Sequence, residues 1–116
     1  MSFSGWIGVD LDGTLAEYHG WKGEDHIGDP IPAMVERVKQ WLTDGVTVKI
    51  FTARVAFPSN TEFVETQTAF IQDWCEKHIG VRLPVTCMKD FAMIELWDDR
   101  CVQVIPNKGV PVQERG

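Results

Sequence analysis

Two carboxylates stand one residue apart near the start of the chain, at the end of a short apolar run. They are Asp10 and Asp12, within the run from Val9 to Leu15. In a β-strand, residues i and i+2 point to the same side, so the two side chains can converge on one metal ion or phosphate where the strand ends. Because two ionised carboxylates held together repel each other, a divalent cation is favoured between them. The spacing therefore predicts a metal- or phosphate-binding site.

Further polar side chains follow three later apolar runs: Thr52, Lys89, and the pair Asp98 and Asp99. In a parallel sheet the carboxyl ends of the strands share one edge, and ligands bind in the crevice there. Two acid pairs, a hydroxyl and a cation are what is needed to hold Mg²⁺ and a phosphate together. Taken singly, each residue has a commoner structural use: Asp98 as a turn residue, Thr52 as a helix cap, Lys89 as a solvated cation.

The elements that would position these residues are predicted from apolar periodicity. Two helices are expected, one from Ile31 to Leu42 with Asp29 as its N-cap, the other from a capping box at Ser59 to Gly80. Strands are expected over 6–9, 46–51, 84–88, 93–97 and 101–105. Residues 13–29, named here the flap, show no clear periodicity and are predicted to form a loop or small hairpin.

This order of elements, with helical crossovers between the early strands, predicts a mainly parallel sheet with right-handed connections. We expect an α/β fold, a Rossmann-like three-layer sandwich of about five strands, as a single domain over residues 1–116. The flap is too short to be a cap domain. The site should therefore be open, which suits a macromolecular substrate or a homo-oligomer whose neighbouring subunit covers it.

Composition excludes several classes of protein. A net charge of −6 argues against a general nucleic-acid binder. Apolar runs of about five to seven residues fall far short of a membrane span. The first residues lack the basic start and apolar core of a secretion signal. The three cysteines, Cys75, Cys87 and Cys101, have no zinc-type spacing and are predicted to be buried free thiols. A cytoplasmic protein that does not bind membranes is expected.

The string from Asp10 to Leu15 resembles the signature of the haloacid dehalogenase superfamily of phosphohydrolases, and the resemblance extends to Asp99. It implies a capless member in which Asp10 is a nucleophile that forms an aspartyl-phosphate. Asp12 would be the general acid and then the base, and its main-chain carbonyl would also bind Mg²⁺. Asp98 would be a direct metal ligand, and Asp99 a second or water-mediated one.

The same resemblance implies a phosphate-binding group after the second strand. The Thr52 hydroxyl and the Ala53 N–H would hold the phosphoryl oxygens, and Arg54 is positioned to touch the substrate. Lys89 would neutralise charge on the nucleophile and the phosphate. The interval between Lys89 and the second acid pair is short where many relatives place a helix, so a turn lysine is an open alternative.

An acid two residues after the nucleophile resembles the phosphatases of the family, so Mg²⁺-dependent phosphate monoester hydrolysis is predicted. The alternatives are a receiver-like phospho-acceptor domain and a catalytically degenerate, metal-binding member. The substrate could be a phosphorylated small molecule or a nucleic-acid end. In the flap, Tyr18, His19, Trp21, Lys22 and His26 could stack on a base or sugar ring. Equally, Trp21 could simply pin the flap to the body.

Overall fold

The structure is a computed structural model that describes residues 4–113. Its elements in chain order are β1 (Trp6–Asp10), α1 (Pro32–Thr43), β2 (Thr47–Phe51), a 3-10 helix (Ala53–Val55), α2 (Thr61–His78), β3 (Val85–Thr86) and β4 (Met93–Trp97).

The strands form one sheet in the order β3-β2-β1-β4, and all its neighbouring pairs are parallel. The predicted α/β fold with a parallel sheet is confirmed, but the sheet has four strands rather than about five. The predicted strand over 101–105 is wrong, since this stretch contributes only an isolated bridge from Val104 to Pro111. Val102 and Val104 are exposed, and no described layer covers them. An apolar run alone does not distinguish a core strand from extended chain on the surface.

Both helices pack against the same face of the sheet. The steps from β1 to β2 and from β2 to β3 go in the same direction, so right-handed crossovers bring α1 and α2 to one side. A single core results, to which the two central strands contribute Ile7, Val9, Val48 and Ile50, and the helices Met34, Val35, Val38, Ile71, Trp74 and Cys75.

The opposite face is crossed by residues 87–92, which form no helix or strand and connect β3 to β4. The indole Nε1 of Trp6, on β1, donates to Asp90 Oδ1 in this segment at 2.8 Å. Trp6 is buried beneath it. In the described residues, this segment without regular structure therefore lies where the predicted three-layer sandwich has its second helical layer.

Both predicted helices form, but each has a different cap from the one expected. Ile31 is the N-cap residue of α1 and Pro32 its first residue, without a side-chain cap. Asp29 lies too far upstream to serve. Asn60, not Ser59, caps α2 by accepting a hydrogen bond from a backbone N–H. None of the described helices is long and apolar enough to cross a membrane.

The cysteines differ in burial. Cys75 is buried in α2, as predicted. Cys87 and Cys101 are exposed, so the prediction of buried thiols is wrong for these two. Both follow short strands at points where the chain leaves the sheet.

Candidate functional site

The register of the sheet brings three polar strand ends together. Asp10 ends β1 and is paired with the last residue of β2, so Thr52 follows one step further on. On the other side of β1, Val9 is paired with the last residue of β4, which places Asp98 next to Asp10. Asp10, Thr52 and Asp98 therefore lie together at the carboxyl edge of the sheet, as predicted from the sequence.

The centre of the site is an acid cluster made of Asp10, Asp98 and Asp99. Each offers a carboxylate oxygen, and these oxygens all lie within 4.8 Å of one another. The Thr14 hydroxyl accepts from the backbone N–H of Asp99 at 3.1 Å. It also lies 3.3 Å from Asp10 Oδ2 and 3.2 Å from Asp99 Oδ1, so its single proton serves one carboxylate at a time. Thr14 was not among the predicted site residues, although it belongs to the same motif.

The electrostatics of the cluster are unfavourable to an extra negative charge. Burial raises the pKa of Asp10 from 3.8 to about 7, helped by a hydrogen bond to Asp99 and by the charges of Asp98 and Asp99, while the Thr14 hydroxyl opposes the rise. Hard carboxylate oxygens at this spacing are the donors that Mg²⁺ prefers. The residues present therefore fit the ion that the sequence predicts.

Asp12 is turned away from this cluster. Its carboxylate forms a two-point ion pair with Arg54, Nε to Oδ2 and Nη2 to Oδ1, each at 2.8 Å. The alternation that would aim Asp10 and Asp12 alike applies only within a strand, and β1 ends at Asp10. After it the chain forms a tight turn, in which the Leu11 carbonyl accepts from the N–H groups of Leu15 and Ala16. The two side chains consequently serve different parts of one cleft.

Arg54 is buried and held by contacts with the first motif and with the flap, so it is not a free cation. Besides Asp12, it donates from Nη2 to the His26 carbonyl at 2.9 Å, and its guanidinium lies 4.9 Å from the ring centre of Trp21. The third nitrogen, Nη1, is buried without a hydrogen-bond partner among the described residues. The guanidinium thus joins the first motif to the flap.

The flap is fastened to α2 at two further points. Gln67, fully buried, donates to the Glu24 carbonyl at 3.0 Å, and the Trp74 indole donates to the Gly28 carbonyl at 3.0 Å. Gln67 interrupts the apolar stripe of its helix in sequence, and this contact is the structural reason. The flap therefore forms a fixed wall of the site.

Thr52 and Ala53 stand at the start of the 3-10 helix. The Thr52 hydroxyl is buried and accepts from the Arg54 N–H at 3.1 Å, which is the capping role considered from the sequence. The proton of the Thr52 hydroxyl is still available for a further hydrogen bond. Ala53 is the first residue of the helix, so its N–H has no partner within that helix. Both residues line the cleft described below.

Lys89 is not brought to the acid cluster. It is exposed in the segment that returns along the other face of the sheet, and it is not among the residues that line the cleft. The next residue, Asp90, contacts Trp6 at the beginning of β1. β3 is only two residues long, so the chain has left the sheet before it reaches Lys89. Arg100, which follows the second acid pair and was not a predicted site residue, does line the cleft.

The other predicted catalytic, phosphate-binding and metal-binding residues border one cleft of about 680 Å³, as do Tyr18 and Trp21 of the flap. His19, Lys22 and His26 do not; they line a smaller neighbouring pocket together with Asp12 and Arg54. Acids, Thr52, Ala53 and arginines form part of its lining. The rest is aromatic, from Tyr18, Trp21, Phe51, Phe57 and Phe63. Phe51 and Phe63 carried no signal in the sequence beyond strand and helix periodicity, and Phe57, in the loop before α2, carried none.

No protein-family model and no curated protein matches the chain. Among solved structures, it is similar to a conserved protein coded by a locus from Bacteroides thetaiotaomicron. The two are 22% identical with a TM-score of 0.59, over 90% of this chain and 83% of that chain. This likeness is one of fold.

Proposed function

We propose that the protein is a Mg²⁺-dependent phosphohydrolase that cleaves phosphate monoesters through an aspartyl-phosphate on Asp10. The observation that carries the proposal is the acid cluster, three carboxylates within 4.8 Å of one another at the carboxyl edge of a parallel sheet. The resemblance of the first motif to haloacid dehalogenase phosphatases supplies the reaction class.

Asp10, Asp98 and Asp99 would hold the metal ion. When bound, Mg²⁺ would offset the charge of these carboxylates and draw electron density from the phosphoryl oxygens. The Thr14 hydroxyl fixes the orientation of the cluster from the side of the first motif. This arrangement allows an anionic nucleophile to approach an anionic phosphate.

In the proposed reaction, an Asp10 oxygen forms a bond to phosphorus as the ester P–O bond breaks. Asp12 first takes up a proton from solvent as its pair with Arg54 opens, and it then gives this proton to the departing alkoxide, so the alcohol leaves neutral. Asp12 then takes a proton from a water molecule that attacks the aspartyl-phosphate, which releases inorganic phosphate and restores Asp10. Before substrate binds, Arg54 holds the Asp12 carboxylate in one orientation at the wall of the cleft.

The phosphoryl oxygens would be bound by the Thr52 hydroxyl and the Ala53 N–H. Because Lys89 lies outside the cleft, we assign the compensating side-chain charge to Arg100, whose N–H also donates to Asp98 Oδ1 at 2.8 Å.

The test is hydrolysis of p-nitrophenyl phosphate by the full chain with and without Mg²⁺. Turnover should require Mg²⁺, and Asp10→Asn should abolish it while the circular dichroism spectrum and melting temperature show a folded protein. Asp44→Asn is the matched control, an exposed acid at the opposite edge of the sheet, just before β2. Full activity in Asp10→Asn, or turnover indifferent to Mg²⁺, would refute the proposal. A long-lived phosphoryl-protein formed from acetyl phosphate would instead indicate a phospho-acceptor domain.

A further inference from the structure

We infer that the aromatic part of the cleft selects the leaving group, and that the substrates are small phosphate monoesters carrying a planar aromatic ring. The inference rests on the proposed function for where the phosphate lies. It goes beyond that function by naming a substrate class from side chains that take no part in the chemistry.

Large aromatic side chains are exposed in this cleft although the fold has a core that could bury such rings. Tyr18, Trp21 and Phe57 are 47%, 58% and 49% exposed, and all three border the cavity that contains the acid cluster. They come from two separate segments, the flap and the loop before α2. Exposed rings gathered in one concave site are an apolar platform for a ligand of matching chemistry.

Two of these rings are braced from behind. Trp21 lies on the guanidinium of Arg54, which is itself held by Asp12 and by a flap carbonyl. Phe57 meets Phe63 edge to face, with ring centres 4.9 Å apart. Because their positions are fixed before binding, little side-chain freedom is lost when a planar ring stacks on them. A braced aromatic wall favours a rigid, flat group over a flexible sugar chain.

The charges around the cleft favour a small ligand with a single phosphate. Its charged lining residues are Asp10, Asp12, Asp98, Asp99, Arg54 and Arg100. Arg54 is paired with Asp12, so Arg100 is the lining cation that has no salt-bridge partner among the described residues. Within this lining, one phosphate can be neutralised by a bound cation and Arg100, and there is no row of basic side chains that would bind a polyanion. A volume of about 680 Å³ is also in the range of small-molecule sites.

The experiment compares adenosine 5′-monophosphate with ribose 5-phosphate, which carry the phosphate on the same primary alcohol and differ in the base. Binding to the full chain with Mg²⁺ is measured by calorimetry, and kcat/KM by phosphate release. Stacking on an aromatic side chain is worth roughly five- to 150-fold in affinity. We expect the nucleotide to bind more tightly by a factor in this range, with the difference in KM rather than kcat.

Variants then locate the preference. Trp21→Ala and Phe57→Ala should each bring the ratio of the two affinities towards one, whereas Trp21→Phe should keep most of it. Phe91→Ala is the control, since this ring is fully exposed and is not among the residues lining the cleft. Equal binding of the two ligands by the unaltered protein overturns the inference, as does a ratio that survives both alanine variants.

Two further arms separate related outcomes. O-phosphotyrosine is compared with the nucleotide, with O-phosphoserine as the reference that lacks the ring. If O-phosphotyrosine binds more tightly than the nucleotide, the preferred substrate carries its aromatic ring directly on the phosphate oxygen, and the inference of an aromatic substrate still holds. A 5′-phosphorylated oligonucleotide preferred to the mononucleotide would overturn the assignment of a small ligand. If p-nitrophenyl phosphate is not hydrolysed, the proposed function fails, while the calorimetric comparison still decides the aromatic preference.

Discussion

The carboxylate of Asp12 and the guanidinium of Arg54 meet through two parallel hydrogen bonds of 2.8 Å. The side chain of Arg54 is 6% exposed and that of Asp12 22%. This contact joins the turn after β1 to the turn after β2. In the absence of substrate, it also fixes the carboxylate that the proposed reaction uses for proton transfer, and the pair must open before Asp12 can take up a proton.

Removal of Arg54 should destabilise the protein. Arg54→Ala leaves a largely buried carboxylate without its partner, and loss of one member of a buried pair costs about 3–5 kcal/mol. Arg54→Lys should rescue only part of this, because lysine cannot make the two-point contact. Urea denaturation measures the free energy of unfolding. Arg82→Ala is the control, since Arg82 pairs with Asp73 at the surface and such pairs are worth about 0.2–1 kcal/mol. Equal losses in the two alanine variants would contradict the burial argument.

Stability without metal should fall as pH rises. Asp10 has a pKa raised from 3.8 to about 7, chiefly by burial, so the folded state holds this proton more tightly than the unfolded chain does. Its contribution is complete below pH 3.8 and is lost progressively up to about pH 7. We therefore expect a higher melting temperature at pH 5 than at pH 8 in the presence of EDTA.

Two comparisons test whether Asp10 is the cause of this pH dependence. Asp10→Asn should flatten the pH dependence, because the amide does not titrate. Mg²⁺ should raise the melting temperature more at pH 8 than at pH 5, since the ion competes with the proton for the same oxygens. A larger effect of Mg²⁺ at pH 5 would show that Asp10 is not a ligand.

Thr14 should matter for metal binding. Thr14→Val removes the hydroxyl that contacts Asp10 and Asp99, and substitutions of groups that orient metal ligands typically weaken affinity about 10- to 100-fold. Thr14→Ser keeps the hydroxyl and should retain most of the affinity. Titration of Mn²⁺ as a spectroscopic substitute gives the dissociation constants, and identical values for the two variants would exclude this role.

Gly28 should tolerate no side chain. A Cβ here would overlap the main-chain carbonyl oxygen of Glu17, so Gly28→Ala must push the two ends of the flap apart. We expect a loss of about 1–3 kcal/mol in unfolding free energy, as for overpacked sites, and a raised KM. Gly45→Ala is the comparison, since its φ of +81° is also unfavourable for alanine but the space around it is open. It should cost stability without changing kcat/KM. A stable Gly28→Ala protein with normal KM would show that the flap adapts.

The site residues that could be predicted from the sequence are those whose positions depend on where a strand ends. The positions of Asp10, Thr52 and Asp98 follow from where apolar runs stop and from the geometry of parallel pairing. The prediction for Lys89 was wrong because its apolar run, predicted over 84–88, continues for two residues after β3 has ended at Thr86. Strand composition does not show where hydrogen bonding to a neighbour stops.

Other features depend on contacts between distant segments. The pairing of Arg54 with Asp12, and the anchoring of the flap by Gln67, join residues more than 40 positions apart. A buried arginine and a solvated one look the same in a sequence. The exposed apolar run over 101–105 shows the converse, since hydrophobic residues predict a strand only when another layer is there to cover them.

The acid cluster is divided between a central strand and an edge strand. β4, which leads into Asp98 and Asp99, has β1 as its one neighbour in the described sheet, whereas β1 is paired on both sides. Edge elements open more readily than the core they flank. A metal ion bound by both Asp10 and Asp98 would link β1 to β4 and slow amide hydrogen exchange along β4. The rate of amide hydrogen exchange in this edge strand would then report whether the metal site is occupied.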